Sequence, residues 1–209
     1  VKATFQNELF AVFDDFLSRD ALDQVWNGFR EEPMQYVKSR AAVRVFRPLD
    51  GEPLAGKPIF NAPRSSGGDV PLYPSGRPID AVVEAIEGAA GTFEPWVGRK
   101  GTDWTCFSAT PFMYPMGSGL SWHRDSRDRT GSFVAYVHPE WRDSWGAELL
   151  VESAAAEGGS AANAGWGQYV TPMPNRLVVI SSQARHAIKK VDLQAGENCR
   201  ASIAGFFQK

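Results

Sequence analysis

The chain has 209 residues, 43% of them hydrophobic and 22% charged, with a formal net charge of −2. This is ordinary globular composition, enough for one domain with a sizeable core, and it argues against a general nucleic-acid binder, which would be basic. No apolar run approaches the roughly 20 residues needed to span a bilayer, and the opening Val-Lys-Ala-Thr-Phe-Gln-Asn-Glu lacks the pattern of a signal peptide.

Residues 8–16 read as a short strand running into a turn. Ser18 or Asp20 is placed to cap a helix in which Leu22, Val25, Trp26 and Phe29 recur at helical spacing, and Pro33 ends it. Residues 41–47 alternate as a strand does. From 48 to 78 Pro, Gly and Ser dominate, with Asp50-Gly51 and Ser66-Gly67-Gly68 as turn signals. A structureless stretch of this length is uncommon in a domain and reads either as a lid or as a decorated surface loop. Pro78 suits the first turn of a second helix, whose apolar face is Ile79, Val82, Val83 and Ile86.

From residue 104 the pattern is β, with strands expected at 104–114, 132–138, 147–152, 176–181, 186–191 and 200–207. Cys106 and Cys199 fall in expected strands and form no metal or redox motif, so buried reduced thiols and a cytoplasmic location are expected. Residues 153–170 are low in complexity and read as a flexible insertion, in which Trp166 and Tyr169 either touch a substrate or pin the loop. Two helices followed by short strands imply an α+β, mainly β fold, with N-terminal helices packed on a β-sandwich. With no repeat or linker visible, residues 1–209 are expected to form a single domain. Residues 1–103 would support a β-core at 104–209.

The chemistry gathers at Tyr114-Pro-Met-Gly-Ser-Gly-Leu-Ser-Trp-His-Arg-Asp125. On an extended strand residues i and i+2 share a face, so His123 and Asp125 can converge. Two His and one carboxylate with open positions make the facial triad of non-haem Fe(II) sites. The chain offers two further histidines. His186 follows the apolar run Leu177-Val-Val-Ile180 and stands where a strand begins; His138 lies past a strand end, where the chain turns, and reads as structural. Each residue also has a plainer reading. His123 and Asp125 could be a surface ion pair and His186 a hydrogen-bonded core histidine. Arg200 could be a half-buried strand arginine paired with Glu148 or Asp192.

The ordered set Tyr114, Gly117, His123-x-Asp125, Trp145-Gly-Ala-Glu-Leu, Pro174-Asn-Arg-Leu-Val, His186 and Arg200-x-Ser202 resembles the 2-oxoglutarate/Fe(II)-dependent oxygenases, prolyl-4-hydroxylase-like branch. The resemblance spans roughly residues 105–207. It implies a double-stranded β-helix (jelly-roll) core and Fe(II) held by His123, Asp125 and His186. It also implies 2-oxoglutarate as co-substrate, held by Tyr114, Arg200 and Ser202, with O2 as oxidant and succinate and CO2 as products. An Arg suits the far carboxylate because its planar fork matches two oxygens; Lys189 or Lys190 would be next in line. Related halogenases have a small residue where Asp125 stands, so hydroxylation, ring closure or desaturation is implied rather than halogenation. The same sandwich also hosts sugar-binding and non-catalytic metal-binding modules, which have no use for such an Arg.

For the substrate, a small molecule of a biosynthetic pathway is expected over a peptidyl one. No separate peptide-binding domain is visible, and 48–78 and 153–170 are candidate lids. Trp122, Arg124, Arg127, Asp128, Trp141 and Trp145 surround the motif with aromatic and charged groups. No nucleic-acid or membrane partner is expected.

Overall fold

The run Leu177-Val-Val-Ile180 shows no polar alternation because both faces of its strand are covered: all four residues are buried. In the computed structural model, which describes residues 1–37, 46–64, 70–153 and 166–209, this strand lies inside a large antiparallel sheet. Helices cover one face of that sheet and a second sheet covers the other.

The elements in chain order are β1 (Phe5–Gln6), β2 (Phe10–Phe13), α1 (Arg19–Glu31), β3 (Gln35–Tyr36), β4 (Leu54–Ala55), β5 (Ile59–Phe60), α2 (Asp80–Ala89) and α3 (Glu94–Val97). They continue with β6 (Cys106–Tyr114), β7 (Leu120–His123), β8 (Arg129–Tyr136), β9 (Leu149–Glu152), β10 (Gly167–Val170), β11 (Leu177–Ser181), β12 (His186–Ile188) and β13 (Arg200–Gln208). The major sheet runs β1-β2-β11-β8-β13-β6-β4-β3, with β5 also paired to β6; the minor sheet runs β10-β9-β12-β7. This is the expected mainly-β jelly-roll core with supporting helices.

Ser18 caps α1, its hydroxyl accepting from the Ala21 amide at 3.3 Å. The helix buries Leu22, Val25 and Phe29, and α2 buries Val82, Val83 and Ile86. These side chains meet Phe107, Phe133, Leu177, Val179, Ile203 and Phe207 of the major sheet in one core. The opposite face carries Val134, Tyr136, Val178 and Ile180, which pack on Leu149 and Val151 of the minor sheet. Strand β13 shows how one element serves both layers. Ala201, Ile203 and Phe207 enter the helix-side core, whereas Arg200, Ser202, Ala204 and Phe206 face a cavity between the sheets.

Several expectations need correction. The stretch 48–78 is not structureless, because β4 and β5 within it pair with β6. The segment 153–170 is not wholly an insertion either: Gly167–Val170 pairs with β9. Of the expected strand 41–47, residues 41–45 lie outside the described residues, as do Ser66-Gly67-Gly68 and 154–165; Phe46 and Arg47 are not in a strand. Cys106 opens β6 and is buried, but Cys199 lies just ahead of β13 and is half-buried; both thiols are free.

Gly205 sits where β13 crosses between β6 and β8. A Cβ there would run into the Ser108 carbonyl and the Phe133 ring. Gly205→Ala is expected to destabilise the fold by on the order of 1–3 kcal/mol, as overpacking of a filled core does. A lowered denaturant midpoint at unchanged m-value checks it.

Candidate metal centre

Antiparallel pairing of β7 with β12 sets His123 directly opposite His186, their rings 4.3 Å apart centroid to centroid. Asp125 follows just past the end of β7. Each of the three residues offers a donor atom, and these atoms all lie within 4.8 Å of one another. Both imidazoles are held from behind. His123 Nδ1 lies 2.8 Å from the Ser121 carbonyl, and His186 Nδ1 lies 3.1 Å from the Ala184 carbonyl. With Nδ1–H donating to a carbonyl, Nε2 keeps its lone pair free for a metal. Burial first, and the neighbouring His186 imidazole second, push His123 down to about 4, so the ring is neutral at neutral pH.

Asp125 completes the test of fit. Its side chain is 3% exposed, with Oδ1 4.0 Å from Arg129 Nη1, and its Oδ2 is buried with no hydrogen-bond partner among the described residues. A buried carboxylate oxygen without a partner is costly. Two free imidazole nitrogens beside such an oxygen are a donor set suited to Fe(II).

The major sheet supplies the other wall. Arg200 pairs with Tyr114 across β6, and Ser202 pairs with Tyr136 across β8. Arg200 is fully buried. Its Nη1 donates to Ser202 Oγ at 3.3 Å, its Nη2 donates to the Tyr136 hydroxyl at 3.4 Å, and its Nε has no partner among the described residues. The guanidinium carbon lies 5.0 Å from the Tyr114 ring and 4.9 Å from the Tyr136 ring. Neither expected carboxylate reaches it: Glu148 accepts from Lys189 Nζ at 3.2 Å, and Asp192 accepts from the Gln194 amide. Lys189 and Lys190 are exposed and stand outside the cavity. Burial pushes the Tyr114 hydroxyl up to about 12, so it remains a proton donor. One cavity between the sheets is lined by all six residues, His123, Asp125, His186, Tyr114, Arg200 and Ser202.

Residues 109–208, which contain this whole arrangement, match the family described as the 2OG-Fe(II) oxygenase superfamily. Residues 109–208 are those of an Fe(II)/2-oxoglutarate oxygenase. Its fold is similar to three solved structures. A prolyl-4-hydroxylase of Pseudomonas putida is 17% identical with a TM-score of 0.65, over 96% of this chain and 92% of that one. A prolyl hydroxylase from Trichoplax adhaerens, in complex with a hypoxia inducible factor oxygen degradation domain peptide fragment, is 18% identical with a TM-score of 0.66, over 97% and 84%. An oxidoreductase of the 2OG-Fe(II) oxygenase family from Burkholderia pseudomallei is 12% identical with a TM-score of 0.60, over 100% and 93%. No curated protein matches the chain.

The cavity walls of the oxygenase differ from those expected. Trp122, Arg124, Arg127 and Asp128 are exposed, and Trp141 and Trp145 are buried behind the cavity wall, in one apolar cluster with Tyr114 and Ile188; none of the six lines the cavity. Trp166 and Tyr169 lie with Trp122 and Arg185 along a groove on the other face of the minor sheet. The walls are instead Phe46, Phe112, Leu120, Arg129 and Phe206. Phe46 stacks on Phe112 with centroids 6.2 Å apart, and the Arg129 guanidinium lies 3.5 Å from the Phe206 centroid. Tyr136, Phe46 and Arg129 were missed. Tyr136 was legible only through a strand pairing that a single sequence does not give.

His138 is structural, as expected. Its Nε2 lies 2.6 Å from the Pro172 carbonyl, and its Nδ1 accepts from the Ala201 amide at 3.2 Å. This tautomer, with the proton on Nε2, ties the start of β13 to the loop ahead of β11. Burial pushes its pKa down to about 4, below the roughly 6.5 of an unfolded histidine. The unfolded chain therefore binds the proton more readily, and stability falls as pH drops from about 6.5 towards 4. The expected share from His138 is on the order of 3 kcal/mol. Chemical denaturation of the metal-free oxygenase across this range should show the decline. His138→Gln, which keeps a donor and an acceptor without the titration, should flatten that share.

Proposed function

We propose that this oxygenase hydroxylates, or otherwise oxidises, an unactivated C–H bond of a small molecule in a biosynthetic pathway, working in the cytoplasm as a single domain. In this reading His123, Asp125 and His186 hold Fe(II), and Arg200, Tyr114 and Ser202 hold 2-oxoglutarate. The observation that carries it is a fully buried guanidinium with an unpartnered Nε, in the same cavity as the free triad. A dicarboxylate that reaches the metal at one end meets Arg200 at the other.

When bound, Fe(II) with 2-oxoglutarate and O2 supplies the oxidising power, and succinate and CO2 leave. The chain's own residues do the positioning. Arg200 offers a charged fork to the distal carboxylate, and the Ser202, Tyr114 and Tyr136 hydroxyls fix its direction. The Ser121 and Ala184 carbonyls hold the imidazoles in one tautomer. Phe46, Phe112, Leu120 and Phe206 keep water from the metal and present an apolar surface to the reacting C–H bond. A small molecule whose reacting end is apolar suits these walls. No helix among the described residues is long and apolar enough to cross a membrane. Peptidyl hydroxylation is the second reading, supported by the likeness to a prolyl hydroxylase solved with a peptide.

Alanine at His123, Asp125 or His186 is expected to abolish Fe(II) binding in equilibrium dialysis, while His138→Ala keeps it; the reverse for His186 and His138 would sink the ligand assignment. Arg200→Ala should raise the KM for 2-oxoglutarate far more than that for the substrate, by an amount equivalent to roughly 2–5 kcal/mol for losing one side of a buried charge pair.

The substrate class is tested by incubating the Fe(II)-loaded protein with 2-oxoglutarate and a metabolite library, scoring succinate release above the uncoupled background. Stimulation by one or a few small molecules is expected. Stimulation by peptides alone would replace this reading with the peptidyl one.

A further inference from the structure

A buried carboxylate stands behind the metal ligands and belongs to neither ligand set. Asp50 is 4% exposed and ends a short 3-10 turn, Pro48–Asp50. Its Oδ1 accepts from the Ser121 hydroxyl at 2.5 Å. Its Oδ2 accepts from the Arg47 amide at 2.7 Å. Ser121 lies on β7, and its carbonyl is the one that faces His123 Nδ1 at 2.8 Å. One residue is thus gripped by Asp50 through its side chain and grips His123 through its backbone.

The contact belongs to a wider latch. The Gly119 amide donates to the Asp50 carbonyl at 2.9 Å, and the Glu52 amide donates to Ser118 Oγ at 3.0 Å. Gly51 has φ +78°, and a side chain there would meet Gly117 and Ser118, so the turn can lie this close only with glycine. The latch also reaches the cavity wall, because Arg47 follows Phe46, which lines the cavity.

Hydrogen bonding alone would not need a charge here. No Lys, Arg or His among the described residues forms an ion pair with Asp50, and a buried charge without a counter-charge is costly. A divalent cation on His123 supplies the missing positive charge nearby. We propose that Asp50 is a positioning residue for the metal: it fixes Ser121, whose carbonyl sets the tautomer and direction of His123, and its charge offsets part of the metal's. This rests on His123, Asp125 and His186 being the metal ligands.

The test uses Co(II) as a redox-stable probe, measuring its dissociation constant and ligand-field absorption with the purified full chain. Asp50→Asn and Ser121→Ala are expected to weaken Co(II) binding by about 10–100-fold, the usual effect of removing a group that orients a ligand, and to change the absorption bands. Ser121→Thr, which keeps the hydroxyl, should restore both. Ser118→Ala, which cuts the latch without touching Ser121, should lower the melting temperature and leave Co(II) affinity unchanged. If Asp50→Asn does not fold, the Ser121→Ala and Ser121→Thr pair carries the test in its place. Wild-type affinity and spectrum in both Asp50→Asn and Ser121→Ala, with binding lost in His186→Ala, would overturn this inference alone. Wild-type binding in His186→Ala would overturn the ligand assignment, and this inference with it.

Discussion

A guanidinium sealed inside protein, with no carboxylate partner among the described residues, is the constraint around which the rest of this site is arranged. Removing an ion from water costs several kcal/mol even after relaxation. The structure offsets part of that at Arg200 with two hydroxyls at 3.3 and 3.4 Å and two flanking tyrosine rings. Cation–π attraction is worth about 2 kcal/mol when desolvated, and hydrogen bonds to charged groups about 1.5–3 kcal/mol. The unpartnered Nε remains. Among the described residues nothing completes the arrangement, and an anion would. Since β13 bonds to both β6 and β8, an anion on Arg200 tightens the centre of the major sheet. Ligand binding of that kind raises stability by mass action.

The site divides its labour between two sheets, and each half depends on register. In the minor sheet the pairing of His123 with His186 brings two imidazoles from distant parts of the chain into contact. A slip of one residue in β7 would turn His123 outward and bring Trp122 into the cavity, because strand side chains alternate faces. The third apolar cluster, where Ile188 packs with Trp141, Trp145 and Val191, holds the β12 end of this sheet in place. In the major sheet Arg200 and Ser202 share a face while Ala201 and Ile203 enter the helix-side core. Moving β13 by one residue would turn Arg200 into the apolar helix-side core.

What was legible in the sequence was local. The His-x-Asp spacing, the helical repeat from Leu22 to Phe29 and the apolar runs of the major sheet each follow from periods of two or about 3.6, and each emerged close to where it was expected. What was not legible depends on pairing across the chain. The short strands β4, β5 and β10 are two to four residues long and gain their hydrogen bonds from longer partners, so their own composition reads as loop. The same limit explains the misread surroundings of the metal. Trp122 is one residue from His123 and for that reason faces the other way, whereas Phe46 and Phe206 are far along the chain and form the walls. Neighbours in sequence were mistaken for neighbours in space. Asp50 looked like half of an Asp-Gly turn signal, which it is, but its carboxylate also meets β7, a role that only the fold discloses.

The charges of the proposed site balance in a particular order. Among the described residues, the charged groups lining the cavity are two guanidiniums, Arg200 and Arg129, and one carboxylate, Asp125; the Asp50 carboxylate is buried behind Ser121, and the half-buried Arg64 is near enough to act on Arg129. They are poorly matched: Arg129 is 4.0 Å from Asp125, while Arg200 and Asp50 have no ionic partner among the described residues. Fe(II) held by His123, Asp125 and His186 would place two positive charges beside Asp125 and on the imidazole that Ser121 links to Asp50, which would improve the surroundings of both carboxylates. A dianionic co-substrate would then offset the metal's charge at one end and meet Arg200 at the other. Metal first and 2-oxoglutarate second is then the order in which each step is electrostatically favoured. A dianion entering without the metal would meet Arg200 at one end and the like charge of Asp125 at the other. Together, metal and dianion would form a pairing that matches Asp125 and Arg200 inside a low-dielectric cavity. It leaves no charge among Phe46, Phe112 and Leu120, so that side of the cavity stays suited to an apolar C–H bond.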